Sequence, residues 1–321
     1  MAGLKAMAEG AGSRSRRTVL AVVGPTCSGK TQIGVELARL VAGEIVSADS
    51  RQIYALIDIG TAKPTPRERA AVPHHLVDIV PLDEEVSAGT FGKLAREAIA
   101  DIFARGKVPL LVGGSGLYLR AVIDGLFEAP EIDHDVRLTL RGRLKSEGAE
   151  KLLRELRRVD PESAKGLLPQ NYKRILRALE VYESSGRKIS ELRAESPQTP
   201  EFITVQFGIM FERKELYRRI EQRVDEMISA GLVEEVKELL RKGFNPNLNS
   251  LQTVGYKEAI LYVQGEINFE DMVAQIKMNT RRYAKRQMTW FRRDTRIIWI
   301  DSDGRSASDV ALEIKERFTA G

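Results

Sequence analysis

Apolar residues in the first part of the chain fall into short continuous runs that alternate with longer spans of helical spacing. Strand-like runs occur at Thr18–Val23, Glu44–Ser47, His75–Ile79 and Val108–Val112. Helical spacing marks Thr31–Val41 and Phe91–Arg105, and Gly106 ends the second of these helices. Strands that alternate with helices predict a parallel sheet covered by helices.

The pattern changes between Phe127 and Asp133, where Glu128-Ala129-Pro130 has the composition of a linker. The chain is then charged and helical as far as about Arg193. Its predicted helices are Val136–Lys145, Ala149–Arg157 and Tyr172–Ser184. Strand patterns return at Phe202–Phe211 and Ile297–Ile300. We therefore predict a sheet core at 18–129 and 201–321, a helical insertion at 130–200, and a disordered N-terminal segment at 1–17.

Composition excludes several classes of protein. The 321 residues include no apolar run long enough to span a membrane. A single cysteine excludes an internal disulfide, and with three histidines it argues against a structural zinc site. These counts favour a reducing, cytoplasmic setting. Residues 1–17 lack the apolar core of a signal peptide; their scarcity of acids also leaves a transit peptide open.

Positive charge is concentrated near the C-terminal end of the chain. The net charge is only +5, but Lys277 to Arg296 holds eight lysines or arginines and one acid, Asp294. Trp290 and Phe291 lie among these cations. A basic stripe with interleaved aromatics is typical of a surface that binds nucleic acid. The alternative is a helix whose aromatics pack against the sheet and whose charges are merely solvated.

A glycine-rich phosphate-binding motif follows the first predicted strand. It consists of Gly24, Pro25, Thr26, Cys27, Ser28, Gly29, Lys30 and Thr31, which match G-x-x-x-x-G-K-[ST]. Its backbone N–H groups and the following helix N-terminus favour an anion. Lys30 would reach terminal phosphates, and the Thr31 hydroxyl would help to hold Mg²⁺. The motif predicts an α/β, P-loop NTPase-like fold and a phosphate or diphosphate ligand, without identifying that ligand as ATP.

Two further motifs follow predicted strands. Ser47 to Tyr54 places Asp49 near the carboxyl end of the second strand, where ligands bind in parallel sheets. Its carboxylate suits a general base or a magnesium ligand, or else an ordinary turn. Gly113 to Tyr118 similarly reads as a ligand cradle or as a simple turn between a strand and a helix.

Taken in order, these motifs resemble the tRNA dimethylallyltransferase (isopentenyltransferase) family over Leu20 to Ile300. The matching segments are GPT-x-SGKT, SADSRQ-I-Y, HHL-V-D-I, GG-S-GLY-L, Pro169–Arg174 with Arg177–Val181, Arg213–Met227, Val254–Lys257 and Lys285–Arg292. Two positions depart from the family pattern. Ser115 stands where the family usually has threonine, and Cys27 stands where alanine is common.

The resemblance implies transfer of a dimethylallyl group from dimethylallyl diphosphate to the exocyclic amine of the adenosine 3′ to the anticodon in tRNA. The adenine amine is a poor nucleophile, and Asp49 is the candidate general base. Arg219, and next Arg223, would stabilise the departing diphosphate together with the glycine-rich loop. Ser115 would hydrogen-bond near the leaving group. Alternatively, the two arginines, four residues apart, form surface ion pairs with Glu215, Glu221 or Glu226.

The partners implied are the anticodon stem-loop of tRNA and dimethylallyl diphosphate, with Mg²⁺ as cofactor, and we expect a monomer. An unstacked base is recognised by stacking on aromatic or guanidinium planes and by hydrogen bonds. The candidate tRNA contacts are Asp49, Ser50, Arg51, Gln52, Gln170, Asn171, Tyr172, Lys173, Arg174, Gly255, Tyr256, Lys257, Lys285, Arg286, Gln287, Trp290 and Arg292.

Three other functions fit parts of the sequence. A small-molecule kinase or NTPase would share the phosphate-binding motif but would need an aspartate closing an apolar strand, for which Asp78 is the one weak candidate. A prenyltransferase acting on free AMP would need neither the helical insertion nor the basic stripe. A non-catalytic RNA-binding module would have no use for Asp49 beside the glycine-rich loop.

We expect binding of tRNA to weaken as salt rises, because contacts with phosphates release counterions. The measurement is the dissociation constant for unmodified tRNA between about 50 and about 200 mM salt. A flat response would contradict docking on the basic stripe.

Overall fold

The structure, a computed structural model, describes residues 17–126, 130, 132–195 and 201–320. Six strands form one parallel sheet in the order β3-β2-β4-β1-β5-β6. The strands are β1 Arg17–Val23, β2 Gly43–Ser47, β3 His74–His75, β4 Val108–Gly113, β5 Phe202–Met210 and β6 Ile297–Asp301. The predicted parallel α/β sheet is confirmed.

Helices cover the sheet and make up the second part of the molecule. They are α1 Lys30–Val41, α2 Pro66–Ala71, α3 Ala88–Ala104, α4 Gly116–Ile123, α5 His134–Glu147, α6 Ala149–Val159, α7 Pro161–Ala164, α8 Tyr172–Ser185, α9 Ile189–Glu195, α10 Arg213–Ser229, α11 Leu232–Arg241, α12 Tyr256–Val263, α13 Phe269–Phe291 and α14 Ala307–Ala320. A 3₁₀ turn at Pro169–Asn171 precedes α8. Among the described helices, none combines the length and the apolar character needed to cross a membrane.

Strand β1 lies between β4 and β5 and is buried on both faces. Val19, Ala21 and Val23 pack into one hydrophobic core, while Leu20 and Val22 pack into the other. A strand that is apolar at every position is typical of a parallel sheet with helices on both faces. The strand that leads into the glycine-rich loop is therefore held from both sides.

The third strand is shorter than the sequence predicted. The prediction was a strand at His75–Ile79, whereas only His74–His75 pair with β2. Leu76 (φ 62°) and Asp78 (φ 61°) adopt left-handed backbone conformations, which are incompatible with a continuing strand. Val80 then forms an isolated parallel bridge with Tyr54.

The chain divides into two compact units. The first comprises Met1–Ile123 and Pro200–Gly321 and contains the sheet, and the second is Asp124–Thr199. The sequence had placed the insertion at 130–200. The predicted disordered segment lies outside the described residues except for Arg17, which begins β1, and so do residues 127–129 and 131 of the predicted linker.

The second unit has a hydrophobic core of its own, built from helices α5 to α9. Leu140, Leu152, Leu156, Ile175 and Leu179 all have 0% of their surface exposed. In α6, Leu152 and Leu156 are four residues apart and so lie on one helix face. The unit therefore buries an apolar core without residues of the sheet.

Leu156→Ala should lower the free energy of unfolding of the second unit by about 3 kcal/mol, because it removes buried methyl groups and leaves a cavity. Leu138→Ala in α5 is the matched control, since Leu138 is 53% exposed, and it should cost less than ~0.5 kcal/mol. Chemical denaturation followed by circular dichroism measures both. Equal losses would contradict the assignment of Leu156 to this core.

Candidate active site

A cleft of about 1310 Å³ lies at the carboxyl ends of the strands, within the first unit. The loops that follow β1, β2 and β4 line it, together with parts of α10 and α13. In parallel α/β sheets this edge is where ligands bind, because the loops there meet and helix N-termini point toward it.

The phosphate loop, Gly24–Thr31, joins β1 to α1. A Cβ at Gly24 would lie 2.8 Å from the carbonyl oxygen of Ile209, so only glycine allows the loop to approach β5 this closely. The Ser28 hydroxyl donates to the carbonyl oxygen of Pro25 at 2.8 Å. Gly24, Pro25 and Ser28 are buried and form the inner side of the loop. Five loop residues line the cleft: Thr26, Cys27, Gly29, Lys30 and Thr31.

Lys30 is the cation at the start of α1. Its ammonium donates to the carbonyl oxygen of Pro25 at 2.5 Å. Burial lowers the pKa of Lys30 to about 8; nearby Asp49 opposes this shift, and the positive charge of Arg223 adds to it. A desolvated ammonium next to another cation favours an anionic ligand, which would restore its charge.

Arg219 and Arg223 of α10 both reach the phosphate loop. The Arg219 Nε donates to the carbonyl oxygen of Cys27 at 3.0 Å, and its guanidinium lies 4.6 Å from the centre of the Phe211 ring. Arg223 Nη1 lies 3.5 Å from the Thr26 hydroxyl. The structure thus brings both predicted arginines to the loop together with Lys30.

The alternative in which these two arginines form surface ion pairs is wrong. Glu215 pairs with Arg218 at 2.8 Å, and Glu221 pairs with Arg281 at 2.9 Å. Glu226 accepts a hydrogen bond from Gln222 at 2.8 Å. The three acids have other partners, and none of them forms an ion pair with Arg219 or Arg223.

Asp49 follows β2 directly and lines the cleft. Its Oδ1 accepts a hydrogen bond from the backbone N–H of Arg51 at 2.9 Å, which fixes the carboxylate within a tight turn. Asp49 and Lys30 line the same cleft.

Ser115 reaches the cleft through Ser50 and does not line it. Its hydroxyl accepts from the backbone N–H of Ser50 at 3.0 Å and lies 3.3 Å from the Ser50 hydroxyl. A Cβ at Gly113 would lie 2.1 Å from the carbonyl oxygen of Ala48, so the two loops touch backbone to backbone. The Ser115 loop, Gly113–Gly116, is thereby held against the turn that carries Asp49.

Two predicted tRNA contacts have their side chains in internal hydrogen bonds. Gln52 is 9% exposed; its Nε2 donates to the carbonyl oxygens of Thr61 and Ala62, and its Oε1 accepts from the Ser47 hydroxyl. Tyr256 is fully buried, and its hydroxyl donates to Glu235 and accepts from the Gly60 N–H. These groups brace the loop at 58–62, which lines the cleft together with Gln52. Contact with tRNA stays a prediction for both residues.

Gln287 lines the cleft and is also held by internal hydrogen bonds, so its contact with tRNA stays a prediction. It is 6% exposed, and its Oε1 accepts from the N–H of Thr26 at 2.8 Å. Its Nε2 donates to the carbonyl oxygen of Gly114 at 2.8 Å. Both polar atoms of the side chain are therefore engaged by the protein, where the sequence predicted a contact with tRNA.

The remaining predicted tRNA contacts divide between the cleft and exposed surface. Ser50, Arg51, Gly255 and Arg286 line the cleft. Arg51 also donates to the carbonyl oxygen of Asn249 at 2.7 Å. Those exposed on the first unit are Lys257, Lys285, Arg286, Trp290 and Arg292, and those exposed on the second unit are Gln170, Tyr172, Lys173 and Arg174. Asn171 instead accepts a hydrogen bond from the Leu168 N–H at 2.9 Å.

Lys63 lines the cleft, although the sequence analysis did not predict it as a site residue. Its ammonium pairs with Asp58 at 2.6 Å and also with Asp78, whose other oxygen pairs with Arg69 at 2.6 Å. Burial alone would raise the pKa of Asp78, but its hydrogen bonds with Lys63 and Arg69 lower it. Asp78, which the kinase alternative needed, is thus neutralised by two cations and does not close a strand.

Tyr283 of α13 was also missed and lines the cleft. Burial, and secondarily the negative charge of Asp49, raise the pKa of Tyr283 to about 12, so the phenol stays protonated at neutral pH. The spacing offered a signal, because Tyr283 lies four residues before Gln287 and hence on the same face of the helix.

The pKa of Lys30 predicts how affinity for diphosphate changes with pH. Diphosphate favours the charged ammonium, and the free protein loses that proton as pH rises through about 8. Affinity should therefore fall above pH 8, by up to about tenfold per pH unit. Lys30→Arg is the control, because a guanidinium stays charged over this pH range. Diphosphate itself also titrates, but its effect cancels when the dissociation constants of the two proteins are divided at each pH. Calorimetry measures both proteins; parallel pH profiles would contradict the assignment.

Comparison with known proteins agrees with this geometry. A family model described as IPP transferase matches residues 52–294. The chain is 49% identical over 284 residues to tRNA dimethylallyltransferase 2 of Geotalea uraniireducens (strain Rf4), covering 88% of this chain and 92% of that protein. It is 46% identical over 283 residues to tRNA dimethylallyltransferase of Desulforudis audaxviator (strain MP104C), covering 88% and 91%.

Solved structures extend the likeness to three dimensions. The full-length tRNA isopentenylpyrophosphate transferase from Bacillus halodurans is 39% identical, with a TM-score of 0.70 over 95% of this chain and 96% of that one. A eukaryotic dimethylallyltransferase, described as acting on tRNA, is 29% identical, with a TM-score of 0.79 over 95% of this chain and 80% of that one. The chain belongs to the IPP transferase family.

Proposed function

We propose that this protein transfers a dimethylallyl group from dimethylallyl diphosphate to the exocyclic amine of the adenosine 3′ to the anticodon in tRNA, releasing diphosphate. The observation that carries the proposal is one cleft in which Lys30, Arg219 and Arg223 surround the phosphate loop and Asp49 stands beside them. The three cations suit a leaving diphosphate, and the carboxylate suits the proton that the amine must lose. Membership in the IPP transferase family supports the same reaction.

The reaction forms a bond from the adenine nitrogen to C1 of the allylic group and breaks the bond from that carbon to the diphosphate oxygen. Positive charge on the allylic carbon is shared over its double bond, so the main demand is negative charge growing on the leaving diphosphate. Lys30, Arg219 and Arg223 would stabilise that charge together with the remaining loop amides. Because Lys30 and Arg219 are already held by backbone carbonyls, and Arg219 also by Phe211, little reorganisation of these two cations is needed.

Asp49 would accept the proton that the amine loses as the carbon–nitrogen bond forms. The hydrogen bond from the Arg51 N–H holds one carboxylate oxygen, and the other oxygen would accept the proton. Ser115 acts through Ser50, whose N–H it engages, and so supports the turn beside the base. Its role is closer to positioning than to the direct contact with the leaving group that the sequence predicted.

We propose Mg²⁺ as the cofactor, held by Thr31. Among the described residues, no group of three histidine, cysteine or acidic side chains forms a complete metal site. That fits Mg²⁺, which commonly takes most of its ligands from substrate phosphates and water. Thr31 lines the cleft next to Lys30 and offers a hydroxyl oxygen. The ion would supply further positive charge to the leaving diphosphate.

The tRNA would dock through exposed cations and aromatics of both units. In the first unit these are Lys257, Lys285, Arg286, Trp290 and Arg292, and in the second they are Tyr172, Lys173 and Arg174. A cleft of about 1310 Å³ has room for an extruded adenosine beside a five-carbon donor. One chain supplies the cations, the base and the cleft, which supports a monomer. A free thiol at Cys27 and a tRNA substrate support a cytoplasmic location.

The three alternatives each lack support in the structure. A kinase would need Asp78 free, but Lys63 and Arg69 neutralise it. An enzyme that acts on free AMP would not require the exposed cations of the second unit. A non-catalytic RNA-binding module would not need Lys30 and Asp49 in one cleft.

Asp49→Asn should lower the rate of prenyl transfer by about 100-fold or more while tRNA binding is kept, because the amide cannot accept the proton. The assay follows label from dimethylallyl diphosphate into unmodified tRNA with Mg²⁺, and a parallel reaction with ATP alone tests the kinase alternative. Asp83→Asn is the matched control, since Asp83 is exposed and does not line the cleft. Full turnover by the Asp49 variant would remove the base from the mechanism.

A further inference from the structure

Three residues of α13 form a stripe: Tyr283, Gln287 and Trp290. They are spaced i, i+4 and i+7, so they share one face of the helix. This stripe faces the Ser115 loop. Gln287 contacts Gly114 and Trp290 contacts Gly116.

Two of the three glycines of the Ser115 loop, Gly114 and Gly116, lie against this stripe. A Cβ at Gly114 would lie 2.4 Å from Nε2 of Gln287, and a Cβ at Gly116 would lie 2.3 Å from Nε1 of Trp290. Both distances are shorter than real Cβ contacts, so a larger residue at either position would displace the Gln287 amide or the Trp290 ring. The glycine pattern of one motif and the glutamine and tryptophan of another therefore form a single packed unit.

Gln287 connects this unit to the phosphate loop. Its Oε1 accepts from Thr26 N–H and its Nε2 donates to the Gly114 carbonyl, both at 2.8 Å and both away from solvent. Only a side chain with one acceptor and one donor can satisfy both backbones. Because Thr26 in turn contacts Arg223, the position of this arginine depends on the same amide.

We propose that Gln287 is a positioning residue that sets the distance between the phosphate loop and the Ser115 loop. It joins the loop that would grip the diphosphate to the loop that supports the turn of Asp49. The Thr26 N–H is committed to Gln287, so the remaining loop amides bind the anion. This role rests on the proposed function for its catalytic meaning, but the bridge itself is testable without any turnover.

The test compares Gln287→Met with wild type and with Gln206→Met. Gln206 is the matched control, a glutamine that is 4% exposed in β5 and is remote from both loops. The measurements are hydrogen exchange at the Thr26 amide, calorimetric affinity for inorganic diphosphate with Mg²⁺, and KM for each substrate. For Gln287→Met we expect exchange at Thr26 and the dissociation constant for diphosphate each to rise about tenfold. KM for the donor should rise with them, while KM for tRNA stays within about twofold of wild type.

Gln287→Glu is the second variant if the methionine protein does not fold. Its carboxylate still accepts from Thr26 but cannot donate to Gly114. The Thr26 amide should then stay protected while exchange rises in the Ser115 loop. A rise in exchange at both places would contradict separate roles for the two polar atoms.

Three results would overturn the proposal: a Thr26 amide that stays protected in Gln287→Met, a loss confined to KM for tRNA, or an equal loss of diphosphate affinity in Gln206→Met. The second result would support the direct tRNA contact that the sequence suggested. If wild type binds diphosphate and the exchange results hold but no RNA is prenylated, the bridge stands and the proposed function falls. The Gln287 bridge and the proposed function would therefore be contradicted by different measurements.

Discussion

The close approach of neighbouring backbones at the carboxyl edge of the sheet is the constraint on which the active site depends. Parallel strands place their following loops at one edge, but they do not by themselves bring those loops into contact. Here, Gly24 lies against Ile209, and Gly113 lies against Ala48, at distances that exclude any Cβ. Glycine at these points lets three loops share one cleft, at some cost in chain entropy on folding.

The cations within that cleft suit an anionic ligand. Lys30, Arg219 and Arg223 crowd one short loop, and the acids next to the arginines on α10 pair elsewhere. Backbone carbonyls hold Lys30 and Arg219, the face of Phe211 also holds Arg219, and the side chains of Thr26 and Cys27 contact Arg223. Such contacts orient a cation without neutralising it, so the positive potential persists until an anion arrives. The lowered pKa of Lys30 is the measurable sign of this arrangement.

Helix α13 serves two purposes on two of its faces. Its exposed face carries Lys285 and Arg292, which suit a polyanion, whereas its inner face carries the stripe that includes Gln287. A continuous sequence motif contains residues from both faces of the helix, because neighbouring residues of a helix point in different directions. That is why a basic and aromatic segment with one apparent purpose contains both candidate tRNA contacts and a brace for the loops.

The sequence by itself determined the parallel sheet and the phosphate loop, and it identified Lys30, Asp49, Arg219 and Arg223 as candidate site residues, because periodicity and short motifs are local properties of a chain. Only the tertiary structure decided that β3 ends at His75, where Leu76 and Asp78 turn left-handed. It also decided that Gln52, Tyr256 and Gln287 point inward and that Lys63 and Tyr283 join the cleft. A polar side chain binds either a ligand or the protein's own backbone. The choice between ligand and backbone depends on partners that are distant in sequence, such as Thr26 and Gln287, so a local sequence pattern cannot predict it.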